Sequence, residues 1–140
     1  MKIWFHHLNV CSAQQPEMDK FYRDLLLMDD VPGMDTRRVG MKDYAGQTTY
    51  LTDGEVQFHM SEKDHLVGVR TGHPVNPLDR GHIAFRTDDL ASFKKLLDDK
   101  GVPYSHYGQW AMGDFDQVFF FDPAGNVIEV HEVREHKQRD

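Results

Sequence analysis

The strongest constraint on the fold is an internal repeat. Hydrophobic periodicity predicts the order β-α-β-β-β, a connector, and then β-α-β-β-β again. The two units are predicted over about 3–61 and 81–133, and the connector is predicted over 62–80. A duplicated module cannot bury its apolar face alone, so pairing of the two units is the physical reason for such a repeat. The 140 residues therefore predict an α+β fold in which paired βαβββ modules form a single domain, 1–140.

Turn residues and apolar spacing give the expected bounds of each element. The first unit is predicted to contain a strand at 3–11, a helix at 16–28, and strands at 37–42, 47–52 and 55–61. The second is predicted to contain a strand at 82–87, a helix that begins after Asp89 and ends at Gly101, and strands near 103–108, 116–121 and 127–133. The charged residues 134–140 are expected to fray.

Composition excludes several classes of protein. The chain has 16 basic and 23 acidic residues and a formal charge of −7, which disfavours binding to nucleic acid or to an anionic membrane. Its single cysteine excludes an intramolecular disulfide. No apolar run approaches the roughly 20 residues of a membrane span, and two histidines interrupt the segment Met1–His7 where a signal peptide would be apolar. We therefore expect a cytoplasmic protein.

Four polar residues lie at corresponding places in the two units. His7 and His82 are in the first strands, and His59 and Glu129 are in the last strands. Each of them has an apolar residue next to it that can pack on the opposite face, so strand alternation directs all four toward one common cavity. Imidazoles with a carboxylate suit a divalent first-row metal. The alternative is a set of four separately hydrogen-bonded residues, which is costly for a buried glutamate.

The same alternation brings further polar side chains to the cavity or its rim. Arg86 is a candidate for binding a carboxylate, phosphonate or enediolate, or else a solvated residue at a strand end. His131 shares the face of Glu129 and is a candidate hydrogen-bond partner or acid/base, the alternative being a surface position. Asn9 and Gln57 are further candidates for substrate contact.

Five segments carry a resemblance to a known superfamily. They are HHLNV (6–10), FYRDLL (21–26), VQFHM (56–60), GHIAFRTDDL (81–90) and FFDPAGNVIEV (120–130). In this order and spacing they resemble the vicinal oxygen chelate superfamily, which includes glyoxalases, bleomycin-resistance proteins and extradiol dioxygenases. The resemblance extends over residues 5–133. Its motifs are specific for the superfamily and are not specific for any one activity.

The resemblance implies an incompletely closed eight-stranded sheet around a divalent metal, with zinc, nickel, iron(II) and manganese as candidates. It implies His7, His82 and Glu129 as ligands and places His59 at the remaining ligand position, which often holds Glu or Gln in the superfamily. His59 therefore argues against a simple assignment to glyoxalase I or to methylmalonyl-CoA epimerase. Leu27 is a second departure, because the superfamily pattern has glycine there. The resemblance also implies a homodimer.

Two classes of function follow from this resemblance. The first is an enzyme whose metal chelates vicinal oxygens of a small substrate, with Glu129 and His131 as candidate catalytic residues and lyase, isomerase or dioxygenase chemistry. The second is a non-catalytic protein that sequesters an antibiotic, as bleomycin-resistance proteins do. The His/His/His/Glu set favours the enzyme. Ligation by His59, which we expect, favours a Lewis-acid role, whereas a three-ligand site favours an oxygenase with open positions.

Overall fold

The computed structural model describes residues 1–34, 43–111 and 114–134. Its elements are β1 (Ile3–Ser12), α1 (Gln15–Asp24), β2 (Asp29–Asp30), β3 (Thr48–Thr52), β4 (Gln57–Glu62), α2 (Val67–Thr71), β5 (His82–Thr87), α3 (Leu90–Asp99), β6 (Ser105–Gln109), β7 (Phe115–Phe121) and β8 (Val127–Val133). None of these helices is long and apolar enough to cross a membrane.

The strands of the described ranges form one eight-stranded mixed sheet in the order β2-β3-β4-β1-β5-β8-β7-β6. Within each unit the first strand pairs in parallel with the last, β1 with β4 and β5 with β8. The two units join through the antiparallel pair β1 and β5. Strands β2 and β6 remain at opposite edges, so the sheet does not close into a barrel. The predicted α+β fold is thus confirmed.

Apolar side chains from alternate positions build two cores on the helix-covered side of the sheet. Leu90, Phe93 and Leu97 of α3 pack with Val118 and Val130 of the second unit. In the first unit, the buried residues Met28, Leu51 and Met60 pack together, and Val10, Tyr22 and Phe58 lie against them. This packing occupies one face of the central strands and leaves the intervening polar residues on the opposite, concave face.

The structure corrects two of the predicted elements. The helix expected over 16–28 ends at Asp24, and Leu27, at the position where the superfamily pattern has glycine, adopts a left-handed conformation with φ 56°. The connector 62–80 contains the short helix α2, which ends at Thr71 and is followed by Gly72 with φ 72°. The strand expected over 37–42 lies outside the described residues, and the described strand that precedes β3 is β2.

Candidate metal centre

The four central strands each contribute one candidate metal ligand to the same face of the sheet. His7 of β1, His59 of β4, His82 of β5 and Glu129 of β8 are all buried, at 2%, 4%, 8% and 2% exposure. Strand register explains their proximity, since Asn9 of β1 pairs with both His59 and His82. All four residues belong to the same chain.

Three of these side chains converge on one point. His82 Nε2 lies 2.8 Å from Glu129 Oε2, and His7 Nε2 lies 3.5 Å from the same oxygen. The candidate ligand atoms of His7, His82 and Glu129 all lie within 4.8 Å of one another. Two imidazole nitrogens and one carboxylate oxygen in this arrangement form a two-histidine, one-carboxylate donor set.

The hydrogen bond behind His82 fixes which of its two ring nitrogens faces Glu129. His82 Nδ1 lies 2.7 Å from the carbonyl oxygen of Pro77, which only accepts, so Nδ1 carries the donated proton. The other nitrogen, Nε2, lies 2.8 Å from Glu129 Oε2. Either a proton on Nε2 or a metal ion bound by both atoms accounts for this short separation. A backbone carbonyl that orients a histidine in this way is a common feature of metal sites.

His59 lies beside the three converged groups. Its ring stacks on His7 with centroids 3.7 Å apart. His59 Nε2 donates to Gln57 Oε1 at 3.0 Å, so ligation through this nitrogen would replace the bond to Gln57. The described group within 4.8 Å contains His7, His82 and Glu129. Ligation by His59 stays a prediction from the sequence, and the group of three converged residues forms without it.

Burial and mutual interaction favour the protonation states that bind metals. Burial raises the pKa of Glu129, but the charge of His7 and hydrogen bonds from His131, His7 and His82 outweigh it and hold this pKa well below 4.5. Burial lowers the pKa of His7, against the opposing effect of Glu129. Burial, with a contribution from His7, also lowers the pKa of His59 well below 6.5. Ionised carboxylate and neutral imidazole are the forms that coordinate a metal.

A second layer of hydrogen bonds surrounds the converged groups. His131 is fully buried, and its Nδ1 lies 2.8 Å from Glu129 Oε1. Arg86 donates from Nε to His131 Nε2 at 3.0 Å and from Nη2 to His6 Nε2 at 2.8 Å. His6 Nδ1 lies 2.8 Å from His7 Nδ1. Arg86, predicted as an anion-binding residue, is therefore held by two histidines in this structure.

A small cavity of about 30 Å³ adjoins the converged groups. A buried water needs ~10–15 Å³ on this scale, so the cavity has room for a few atoms. Its lining includes residues of both units: His7, Asn9, Thr48, Tyr50, His59, Ser61, Leu78, His82, Trp110, Ala111, Gln117, Phe119 and Glu129. Asn9 was predicted as a substrate contact and lines the cavity, whereas Gln57 contacts His59 behind it.

Sequence reasoning missed two features of the site. His6 joins the second layer because an irregularity in the β1–β5 register lies between Phe5 and His7, and simple alternation does not predict it. Trp110 is not among the residues predicted for the site, yet it lines the cavity and its buried Nε1 has no hydrogen-bond partner among the described residues. A buried hydrogen-bond donor without a partner destabilises the folded protein by ~1–3 kcal/mol. An oxygen of a bound ligand would remove this cost by accepting the hydrogen bond.

Comparison with known proteins places the chain in a family. Residues 4–130 match the family model of the Glyoxalase/Bleomycin resistance protein/Dioxygenase superfamily, and the chain belongs to this superfamily. No protein of curated function matches the sequence significantly.

Solved structures share the fold at low sequence identity. Methylmalonyl-CoA epimerase from Mycobacterium tuberculosis aligns with a TM-score of 0.69 and 18% identity, over 94% of this chain and 88% of that one. A hypothetical protein from Bacillus halodurans C-125 aligns with a TM-score of 0.70 and 15% identity, over 99% and 100% of the two chains. A catechol 2,3-dioxygenase aligns with a TM-score of 0.56 and 15% identity, over 92% of this chain and 40% of that one.

Proposed function

We propose that this protein is a metal-dependent enzyme whose substrate chelates the metal through two vicinal oxygens. His7, His82 and Glu129 hold the divalent ion. The observation that carries the proposal is the approach of two histidine Nε2 atoms, at 2.8 and 3.5 Å, to one buried oxygen of Glu129. A bound divalent metal supplies Lewis-acid polarisation of substrate oxygens or, as iron(II), activation of dioxygen.

The chain's own residues define how a substrate would be held. The small cavity admits only the chelating end of a substrate, and the rest of the molecule extends outside it. Asn9 Nδ2 donates to Ser61 Oγ, which fixes the amide at the cavity wall. The free N–H of Trp110 donates to a substrate oxygen. His131 holds Glu129 in place through its 2.8 Å hydrogen bond and is the proposed acid/base partner of that carboxylate.

The donor set favours dioxygenase-type chemistry over lyase or isomerase chemistry. Two histidines and one carboxylate suit iron(II) and leave positions open for a bidentate substrate and oxygen. His59 does not belong to the converged group in the described residues and keeps its bond to Gln57. If His59 became a fourth ligand, fewer positions would remain open and a Lewis-acid lyase or isomerase role would be favoured instead.

Metal analysis followed by a paired activity assay tests the proposal. Protein purified without chelator is loaded with iron(II) under argon, and oxygen consumption is measured with catechols. Zinc- or nickel-loaded protein is assayed in parallel with 2-oxoaldehyde–thiol adducts. We expect one metal per chain, with loss of binding in Glu129→Gln and retention in the exposed-histidine control His65→Ala. Equal metal content in all three proteins would contradict the proposed site.

We further propose that a second copy of the chain covers α1 and the residues that directly follow it. Phe21, Leu25, Leu26 and Leu27 are 50%, 64%, 53% and 79% exposed, whereas α3 of the second unit buries its corresponding apolar face. Clustered exposed apolar side chains mark association surfaces in soluble domains. Such a homodimer would leave each site intact, because each chain supplies its own four central strands.

A further inference from the structure

The hydrogen-bond partners of Arg86 determine where the protons of the surrounding histidines lie. An arginine side chain donates hydrogen bonds and cannot accept them. His131 Nε2 and His6 Nε2, at 3.0 and 2.8 Å from Arg86, must therefore both be acceptors without a proton. Since each ring keeps one proton, His131 and His6 are protonated at Nδ1.

From these two rings, hydrogen bonds run in one direction toward Glu129. On one side, His131 Nδ1 donates directly to Glu129 Oε1 at 2.8 Å. On the other, His6 Nδ1 donates to His7 Nδ1 at 2.8 Å, so His7 keeps its proton on Nε2. His7 Nε2 is the atom that lies 3.5 Å from Glu129 Oε2. Arg86 is thus connected to Glu129 by hydrogen bonds through His131. Through His6 and His7, hydrogen bonds from Arg86 reach the His7 ring, whose Nε2 lies near Glu129 Oε2.

Only one of these two branches of hydrogen bonds is compatible with a metal. The branch through His131 ends at Glu129 Oε1 and leaves Oε2 free for coordination. The branch through His6 places a proton on His7 Nε2, the nitrogen that faces Glu129 and His82. If His7 coordinates through Nε2, its proton must move to Nδ1, and His6 Nδ1 must become the acceptor. His6 then carries its proton on Nε2, where it opposes a donor of Arg86.

We propose that ligation of a metal by His7 releases Arg86 from His6, so that Arg86 couples metal loading to the availability of its guanidinium group. The inference rests on the metal site proposed above. The exchange is balanced, because His6 and His7 each keep one proton and only the protonated nitrogens change. Arg86 stays anchored to His131 through Nε, while Nη2 becomes free to bind an anionic oxygen of the substrate.

Two substitutions at position 86 that differ in hydrogen-bond capacity test this coupling. Arg86→Lys keeps a group that only donates, whereas Arg86→Gln offers a carbonyl oxygen that accepts from His6 Nε2. Zinc affinity of the wild type and both variants is measured by competition with a chromophoric chelator. We expect Arg86→Gln to bind zinc at least ~10-fold more tightly than Arg86→Lys, in the range typical of groups behind metal ligands.

The substitution His6→Phe, which removes the ring nitrogens that link Arg86 to His7, provides the control protein. In His6→Phe, the charge difference between the Lys and Gln variants remains but no proton needs to be reversed, so the ratio of their zinc affinities should be several-fold smaller than in the native background. An unchanged ratio would assign the difference to charge and refute the coupling. Thermal unfolding checks that each protein is folded. Nitrogen-15 NMR provides an independent readout: in zinc-free wild type His6 should be protonated at Nδ1, and in the zinc-loaded protein at Nε2.

The outcomes separate this inference from the proposed metal site. If zinc binds but Arg86→Lys and Arg86→Gln have equal affinity, or if His6 keeps its proton on Nδ1 after loading, the coupling is refuted and the metal site stands. If wild type binds no zinc while folded, the proposed metal site fails and the coupling fails with it.

Discussion

Gly81, immediately before His82, is the position where a single methyl group should most disturb both fold and site. Its φ is 82°, and a Cβ added there would lie 2.2 Å from the backbone oxygen of Asn9. Real Cβ contacts essentially never fall below 3.0 Å, so β1 and β5 would have to separate locally by about 3.0 − 2.2 = 0.8 Å. The left-handed conformation costs ~1–2 kcal/mol for a residue with a side chain, and forced repacking adds ~1–3 kcal/mol. We expect Gly81→Ala to lower the free energy of unfolding by roughly 2–5 kcal/mol.

Gly101 provides a matched control for this substitution. It also has a positive φ, 67°, but a Cβ there meets no atom within 4 Å. Gly101→Ala should therefore show the conformational cost alone, ~1–2 kcal/mol. Urea denaturation of the zinc-free proteins measures both values. Zinc affinity should fall only in Gly81→Ala, because only this variant shifts His82 relative to His7. Equal destabilisation by the two substitutions would refute the steric argument.

Three further predictions concern the site and the exposed helix. His59→Ala should keep zinc affinity within ~10-fold of wild type, because His59 lies outside the converged group. Equilibrium dialysis measures this affinity, and a much larger loss would identify His59 as a ligand. The folded-state pKa of His6 is lowered to about 3 from 6.5 by burial and by His7 and Arg86, and burial also lowers that of His59. The unfolded chain therefore binds more protons than the folded protein below pH 6.5. The free energy of unfolding should fall as pH decreases from 7 to 5, by about 1 kcal/mol from the partly exposed His6 alone. A free energy of unfolding that stays constant over this pH range in urea titrations would contradict this. Leu25→Glu should convert a dimer to a monomer in sedimentation velocity, while Leu96→Glu on α3 should not; a wild-type monomer at high micromolar concentration would refute the dimer.

The fold was predictable because its two controlling signals are local. Alternation along strands placed Met60 and Val130 on the packed face and their neighbours His59 and Glu129 on the other, and the structure has this arrangement. The repeat then required the units to pair. The end of α1 was not predictable from apolar spacing, because Leu25 and Leu26 continue the helical pattern but remain exposed. Spacing identifies an apolar face and does not identify what covers it.

The second layer of the site depends on contacts that alternation does not encode. Adjacent residues on a regular strand face opposite sides, yet His6 and His7 contact each other because of the register irregularity in β1. Arg86 was expected at the rim, but its bonds to His6 and His131 depend on long-range pairing of β1, β5 and β8. The role of Trp110 depends on an unpaired buried donor, which only three-dimensional packing reveals.

A crystal structure of the zinc-loaded protein tests the central claim most directly. We expect one ion bound by His7 Nε2 and His82 Nε2 at ~2.0–2.1 Å and by an oxygen of Glu129 at ~2.0–2.2 Å. His82 should keep its hydrogen bond to the carbonyl oxygen of Pro77, and His131 should keep its bond to Glu129. Zinc bound elsewhere, or bound without Glu129, would contradict the account.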